Sequence, residues 1–192
     1  MIFGGLQKLS LIDYPHKTAA VVFTQGCCFG CHFCHNPSLL DFLPAKISAE
    51  EILTFLKKRQ KLLQAVVVSG GEPTLQADLP IFLARIKALG FLIKLDTAGV
   101  APKVLAKLIQ QQLIDYIAMD VKAPLQAAAY QAVTATKANL LAIRQSIQLL
   151  LQGRVDYEFR TTLVPKLHDI EKVEKIAKEL TGAKQYILQN FV

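Results

Sequence analysis

"TAAVVFTQGCCFGCHFCHN", Thr18 to Asn36, opens with a strand-like run and closes on a crowd of thiols. Thr18–Thr24 is a short stretch of β-branched and aromatic residues, the composition of a strand. The loop after it holds all four cysteines of this 192-residue chain within eight residues, Cys27 to Cys34. The question it poses is whether other strands end in equally unusual loops.

Five more runs do. "AVVVS" (Ala65–Ser69), "FLIKLD" (Phe91–Asp96), "DYIAMD" (Asp115–Asp120), "VDYEFRTTLV" (Val155–Val164) and "KQYILQ" (Lys184–Gln189) read as strands two to six. Amphipathic helices fill the gaps. Ser48 and Glu51 form a capping box ahead of Ile52, Phe55, Leu56 and Leu63. Leu79, Phe82, Leu83 and Ile86 repeat the spacing and stop at Gly90. Pro102 suits the first turn of a helix carrying Val104, Leu105, Leu108 and Ile109. Leu140, Ile143, Ile147, Leu150 and Leu151 mark another. The last, with Ile170, Val173, Ile176 and Leu180, is bracketed by Asp169 and Gly182. Alternating strands and helices imply an α/β domain, residues 1–192, with a mainly parallel sheet. An open doubly wound sheet and a partial barrel both fit, and periodicity does not choose between them.

Composition narrows the class. An apolar fraction of 52% argues against disorder. No apolar run has the length of a membrane span, and the first residues lack the pattern of a secretory signal, so the expected location is the cytoplasm. A reducing compartment disfavours a disulfide framework, and four cysteines on one loop cannot staple distant segments. The net charge of +7 is concentrated in "KKRQK", Lys57–Lys61, which reads as a solvated helix end. An acidic protein partner or nucleic acid is the alternative. No basic stripe alternates with aromatics, so the nucleic-acid signal is weak.

In either architecture chemistry belongs at the carboxyl ends of the strands. There lie the cysteine loop, "GGEP" (Gly70–Pro73), "DTAG" (Asp96–Gly99), "DVK" (Asp120–Lys122), "RTT" (Arg160–Thr162) and Gln189-Asn190. Six polar strand ends point to one site on one rim. Cys27, Cys31 and Cys34 have the spacing C-x3-C-x2-C. Three thiolates can hold three corners of a cubane cluster and leave the fourth iron open. Cys28 reads as a small buried hydrophobe, with the shifted set Cys28, Cys31, Cys34 as an alternative. Zinc would need Cys31, Cys34 and Cys27 or Cys28 with His32 or His35. A thioredoxin-like dithiol from Cys31 and Cys34 lacks the usual context. In "SGGEP" the two glycines allow close backbone approach and positive φ, and Glu72 offers a carboxylate to an ammonium group.

Together these motifs resemble the radical S-adenosylmethionine superfamily, and more narrowly the activating enzymes of glycyl-radical enzymes. "GGLQKLSLIDYPHKTAAVVFTQGC", "CHNPSLLD", "LDTAG", "MDVKAP" and "YEFRTTLVP" are most similar to activators of anaerobic ribonucleoside-triphosphate reductase. Pyruvate formate-lyase activators typically carry Asp-Gly-Pro-Gly where this chain has Asp13-Tyr14-Pro15-His16. The resemblance implies a partial (β/α)6 barrel of parallel strands holding one 4Fe–4S cluster on Cys27, Cys31 and Cys34. It implies that S-adenosylmethionine binds the open iron, with Gly70, Gly71 and Glu72 around its amino end. Asp96, Thr97 and Asp120 match positions that surround the methionine carboxylate and a monovalent cation, and Lys122 and Arg160 are candidates to pair with that carboxylate. A plain surface ion pair is the alternative for Asp120 and Lys122. The implied reaction is one-electron cleavage of the sulfonium to a 5′-deoxyadenosyl radical, which takes hydrogen from a glycine of a large partner enzyme. Electrons would come from a flavodoxin- or ferredoxin-type donor. The alternatives in function are a pyruvate formate-lyase-type activase, a radical enzyme acting on a small molecule or RNA, and a zinc-stabilised binding module. Ala98 stands where many relatives carry asparagine, Cys28 where they carry a residue other than cysteine, and the chain stops near strand six where relatives continue.

Overall fold

The computed structural model describes residues 1–191. Among them seven strands form one sheet: β1 (Phe3–Ser10), β2 (Ala19–Thr24), β3 (Ala65–Gly70), β4 (Leu92–Thr97), β5 (Tyr116–Asp120), β6 (Asp156–Leu163) and β7 (Tyr186–Asn190). Six α-helices accompany them: α1 (Ala49–Lys57), α2 (Leu79–Ala88), α3 (Pro102–Gln110), α4 (Ala127–Thr134), α5 (Leu140–Leu151) and α6 (Ile170–Glu179).

The strand order β1-β2-β3-β4-β5-β6-β7 chooses between the two architectures. Each strand from β2 to β7 pairs parallel with the next, so the sheet grows in one direction without reversal. A doubly wound sheet would reverse at a switch point. This is the wall of a barrel, left open because β1 and β7 do not pair among the described residues. The six parallel strands are those expected. The seventh, β1, is an addition that runs antiparallel to β2. Its mixed sequence with two adjacent glycines hid it from a reading of hydrophobic pattern. Helix α4 was hidden too, since "AAAYQAVT" offers few large apolar residues at helical spacing.

Period-two alternation divides the sheet. Ala20, Val22, Val66, Val68, Ile93, Leu95, Ile117, Met119 and Phe159 face the helices and join the main core with Ile52, Leu56, Leu83, Leu105, Leu108, Ile143 and Ile147. Ala19, Val21, Ala65 and Val67 turn the other way and form a small cluster around Tyr14. Tyr14 comes from the β1–β2 hairpin and lies 5.9 Å, ring to ring, from Tyr116. A bulky ring from the hairpin therefore fills the inner face near the amino ends of the parallel strands. Leu63, grouped with α1 by its spacing, is buried but lies beyond the helix end at Lys57. The capping box is present: Ser48 Oγ accepts Glu51 N–H, and Glu51 accepts Ser48 N–H at 2.9 Å. Lys57–Lys61 are exposed. No helix among the described residues is long and apolar enough to cross a membrane.

Candidate active site

The carboxyl ends of β2 to β7 surround one polar cavity of about 320 Å³. Its walls include all eleven candidate site residues: Cys27, Cys31, Cys34, Gly70, Gly71, Glu72, Asp96, Thr97, Asp120, Lys122 and Arg160. Asp13, Ser69, Thr162, Gln189 and Asn190 are among the other residues that line it. A roomier groove between β7 and α6, about 530 Å³, is lined largely by apolar side chains such as Val164, Ile170 and Phe191. It contains none of the eleven motif residues, so the chemistry assigns the site to the polar cavity.

The cysteine loop is fixed by backbone bonds at its root. Gly26 N–H and Cys27 N–H donate to the carbonyls of Leu39 and Leu40, each at 2.9 Å, and Gly30 N–H donates to Thr134 at the end of α4. Cys27, Cys31 and Cys34 line the cavity, whereas Cys28 is absent from its lining; Cys27, Cys28 and Cys31 all pack against the main core. All four are free thiols and half-buried. Cys27 has its thiol lowered to about 7 from 9, chiefly by the neighbouring Cys28 thiol, with a weaker contribution from Phe29 N–H at 3.4 Å. The same contact pushes Cys28 far up, and burial pushes Cys31 up. Among the described residues no three His, Cys, Asp or Glu side chains converge tightly enough to share one ion. A tetrahedral zinc site requires that convergence. A cubane cluster does not, because each thiolate takes its own iron, so three soft donors around a cavity fit it.

"GGEP" packs against the root of the cysteine loop. Gly71 N–H donates to Thr24 and Glu72 N–H to Gly26, at 2.9 and 2.8 Å. A β-carbon at Gly71 would stand 2.2 Å from the Gly26 carbonyl oxygen. Gly70 has φ +115°, and its β-carbon would stand 2.4 Å from Thr24 backbone atoms. The glycines thus allow two backbone segments to touch, in addition to lining the cavity. Glu72 lines the cavity and also serves the fold. Its carboxylate is buried and accepts from Thr74 N–H and Oγ1, Thr97 Oγ1 and Ala98 N–H, at 2.5 to 3.1 Å. Burial raises its pKa despite these bonds. Glu72 locks the GGEP segment to the end of β4. Ala98 takes part through its backbone, which its lack of a polar side chain does not affect.

Opposite the cysteines lies a web of charge. Asp120 accepts from Lys122 Nζ at 2.8 Å and from Arg160 Nε at 3.0 Å. Burial alone would raise Asp120, but these two cations hold it well below the ordinary carboxylate range. Burial likewise opposes the charge on Lys122 and Arg160, and Asp120 drives both upward. Arg160 also reaches Asp96 at 3.6 Å. One oxygen of Asp96, Oδ1, is buried without a hydrogen-bond partner. The Asp120–Lys122 pair is therefore part of a partly buried network, with side chains 25% and 18% exposed, and not an isolated surface pair.

Sequence reasoning missed the residues that hold this web. Lys122 N–H donates to Tyr130 Oη at 3.2 Å, and His168 Nε2 meets the Lys122 carbonyl at 2.8 Å. With Nδ1 accepting Val164 N–H, the proton of a neutral ring sits on Nε2. Arg144 and Glu179 bind the backbone of Leu125 in the same loop. Lone polar residues on helices, and His168 in the loop before α6, carry no motif that would have exposed these roles.

Residues 21–180 match the family model described as the radical SAM superfamily. A Methanocaldococcus jannaschii protein assigned by name to the glycyl-radical enzyme activating enzymes is 38% identical over 198 residues, 99% of this chain and 80% of that one. The pyruvate formate-lyase-activating enzyme of Listeria monocytogenes is 34% identical over 129 residues, 62% of this chain and 52% of its own length. Among solved structures, Streptococcus suis SuiB bound to S-adenosylmethionine superposes with a TM-score of 0.71 at 13% identity, covering 90% of this chain and 40% of SuiB. TYW1 with a lysine-pyruvate adduct gives 0.69 at 17% identity, covering 91% of this chain and 65% of TYW1. This chain thus spans less than two thirds of either solved structure, and at such identities they speak for the fold. The unreversed sheet, the three-cysteine rim and the near full-length likeness to the archaeal protein agree: the chain belongs to the radical S-adenosylmethionine superfamily and, within it, to the glycyl-radical enzyme activating enzymes.

Proposed function

We propose that this protein is the activase of an anaerobic ribonucleoside-triphosphate reductase, acting on a backbone glycine of that enzyme. The observation that carries the reading is the gathering of three cysteines and eight motif residues around one cavity. Family membership implies a 4Fe–4S cluster and S-adenosylmethionine. Cys27, Cys31 and Cys34 would hold the cluster, their thiolates being the donors it requires. Gly70, Gly71 and the backbone that Glu72 pins would receive the methionine amino end. Lys122 and Arg160 would meet its carboxylate, and Asp96, Thr97 and Asp120, which line the same cavity, would lie around that carboxylate and a monovalent cation.

When bound, the reduced cluster and the sulfonium supply one-electron cleavage to a carbon radical. The protein orients the cofactor and keeps water away. Tyr14 supports the choice of partner. It packs on Ala19, Val21, Ala65 and Val67, where the pyruvate formate-lyase pattern would place a glycine that could not fill that space. A flavodoxin- or ferredoxin-type protein in the cytoplasm would supply the electron. The test is electron paramagnetic resonance after anaerobic incubation of the reconstituted protein, S-adenosylmethionine and a reductant with each candidate partner. A glycyl-radical doublet on the reductase and none on pyruvate formate-lyase is expected. A doublet on pyruvate formate-lyase alone would reassign the partner, and cofactor cleavage with no doublet on either would favour a small-molecule or RNA substrate.

A further inference from the structure

Beneath the cavity, on the inner face of β4, Lys94 is buried with 3% of its surface exposed. No motif includes it. Its Nζ donates to the Asp13 carbonyl at 2.5 Å and lies 3.6 Å from both Asp96 Oδ1 and Glu158 Oε1. It also sits 5.7 Å from the centre of the Tyr116 ring. Glu158, equally buried, accepts from the Tyr116 hydroxyl at 2.8 Å and lies 3.8 Å from Arg160 Nη1. The ion pairs thus form one continuous layer in which Lys94, Lys122 and Arg160 face Asp96, Asp120 and Glu158. Three positive and three negative groups balance.

A buried charge needs its counter-charge, and in a low-dielectric layer losing one partner redistributes the rest. Without Lys94, Asp96 and Glu158 would compete for Arg160, the cation they share, and draw it from Asp120. The Asp13 carbonyl would lose its donor, and with it the tie between the β1–β2 hairpin and β4 would go. Asp13 and Asp96 both line the cavity, so both its floor and its charged wall depend on this one ammonium group.

We propose that Lys94 is a positioning residue: it balances the buried charge layer and so fixes Asp96 for binding of S-adenosylmethionine, and it separately ties down the hairpin floor. The proposal rests on the reading that the charged wall receives the cofactor. The test compares wild type, Lys94→Met and Lys94→Met/Glu158→Gln, the double variant restoring neutrality. Equilibrium dialysis of S-adenosylmethionine against the reconstituted proteins should show about tenfold weaker binding for the single variant and recovery to within about threefold in the double. Hydrogen exchange at residues 11–17, measured on the cluster-free proteins, should quicken in both variants, because both lose the Asp13 tie. Binding by Lys94→Met equal to wild type, or a double variant no better than the single, would overturn the proposal. So would failure of both variants to fold, since Lys94 would then serve the fold regardless of charge. Folding of the double alone would support it. If wild type itself does not bind the cofactor, the parent reading falls, and the exchange rates alone decide whether Lys94 secures the hairpin.

Discussion

The Tyr130 hydroxyl accepts the backbone N–H of Lys122 at 3.2 Å, while the Tyr130 ring lies 6.2 Å from Phe29 in the cysteine loop. One fully buried side chain on α4 therefore touches both halves of the site. Tyr130→Phe removes the acceptor and keeps the packing. It should cost about 1 kcal/mol, the usual net worth of one hydrogen bond. Urea denaturation of the cluster-free protein measures this, and an unchanged midpoint would remove Tyr130 from the account.

Cys27 and Cys28 are neighbours with unlike chemistry. In the cluster-free protein, Cys27 should be the first thiol to react with iodoacetamide near neutral pH, since its thiol is lowered to about 7 by Cys28. Cys28→Ala removes that donor, so Cys27 should then require a more alkaline solution for the same rate. Peptide mass mapping over a pH series reads both effects. Cys28→Ala should still bind a cluster, while Cys31→Ala should not.

Glycine at position 71 is required by contact. A β-carbon there would meet the Gly26 carbonyl oxygen at 2.2 Å, whereas at Gly5 nothing lies within 4 Å. Gly71→Ala should part GGEP from the cysteine loop, lower thermal stability and reduce iron incorporation. Gly5→Ala should match wild type within about 0.5 kcal/mol, the usual span for a surface change. Equal behaviour of the two variants would contradict the close approach.

Asp120 gives the protein a defined acid sensitivity. Its folded pKa is depressed below the ordinary 3.8, because Lys122 and Arg160 outweigh the effect of burial. The unfolded chain therefore binds the proton first on acidification. The stabilisation is fully present above the unfolded value and is lost as pH falls through the folded one. The stability difference between wild type and Asp120→Asn should shrink as the solution is acidified below about pH 4, where unfolded carboxylates titrate. A difference that is constant with pH would show that the pairing contributes no linkage.

Much of this design is legible in the sequence because two signals coincide. The β-branched runs give six strands, and the residues ending them are too polar and too glycine-rich for ordinary turns. All eleven candidate residues accordingly meet in one cavity. The architecture was less legible, since a doubly wound sheet and a barrel wall share one local rhythm and differ in strand order alone. Lys94 and Glu158 were invisible for a related reason: a charged residue alternating with apolar ones reads as facing water, yet here that face is the barrel interior. Glu72 shows the converse limit. Its motif marks the right place, but four internal hydrogen bonds give it a structural task that a motif does not display.

The central claim is that Cys27, Cys31 and Cys34 bind a cluster with one iron left for a sulfonium ligand. Analysis of iron, zinc and acid-labile sulfide in the anaerobically reconstituted protein, followed by assay for 5′-deoxyadenosine after reduction with S-adenosylmethionine present, tests it most directly. About four irons and four sulfides per chain, with 5′-deoxyadenosine formed by wild type and by Cys28→Ala but not by Cys31→Ala, is the expected result. One zinc per chain, no sulfide and no 5′-deoxyadenosine would contradict it.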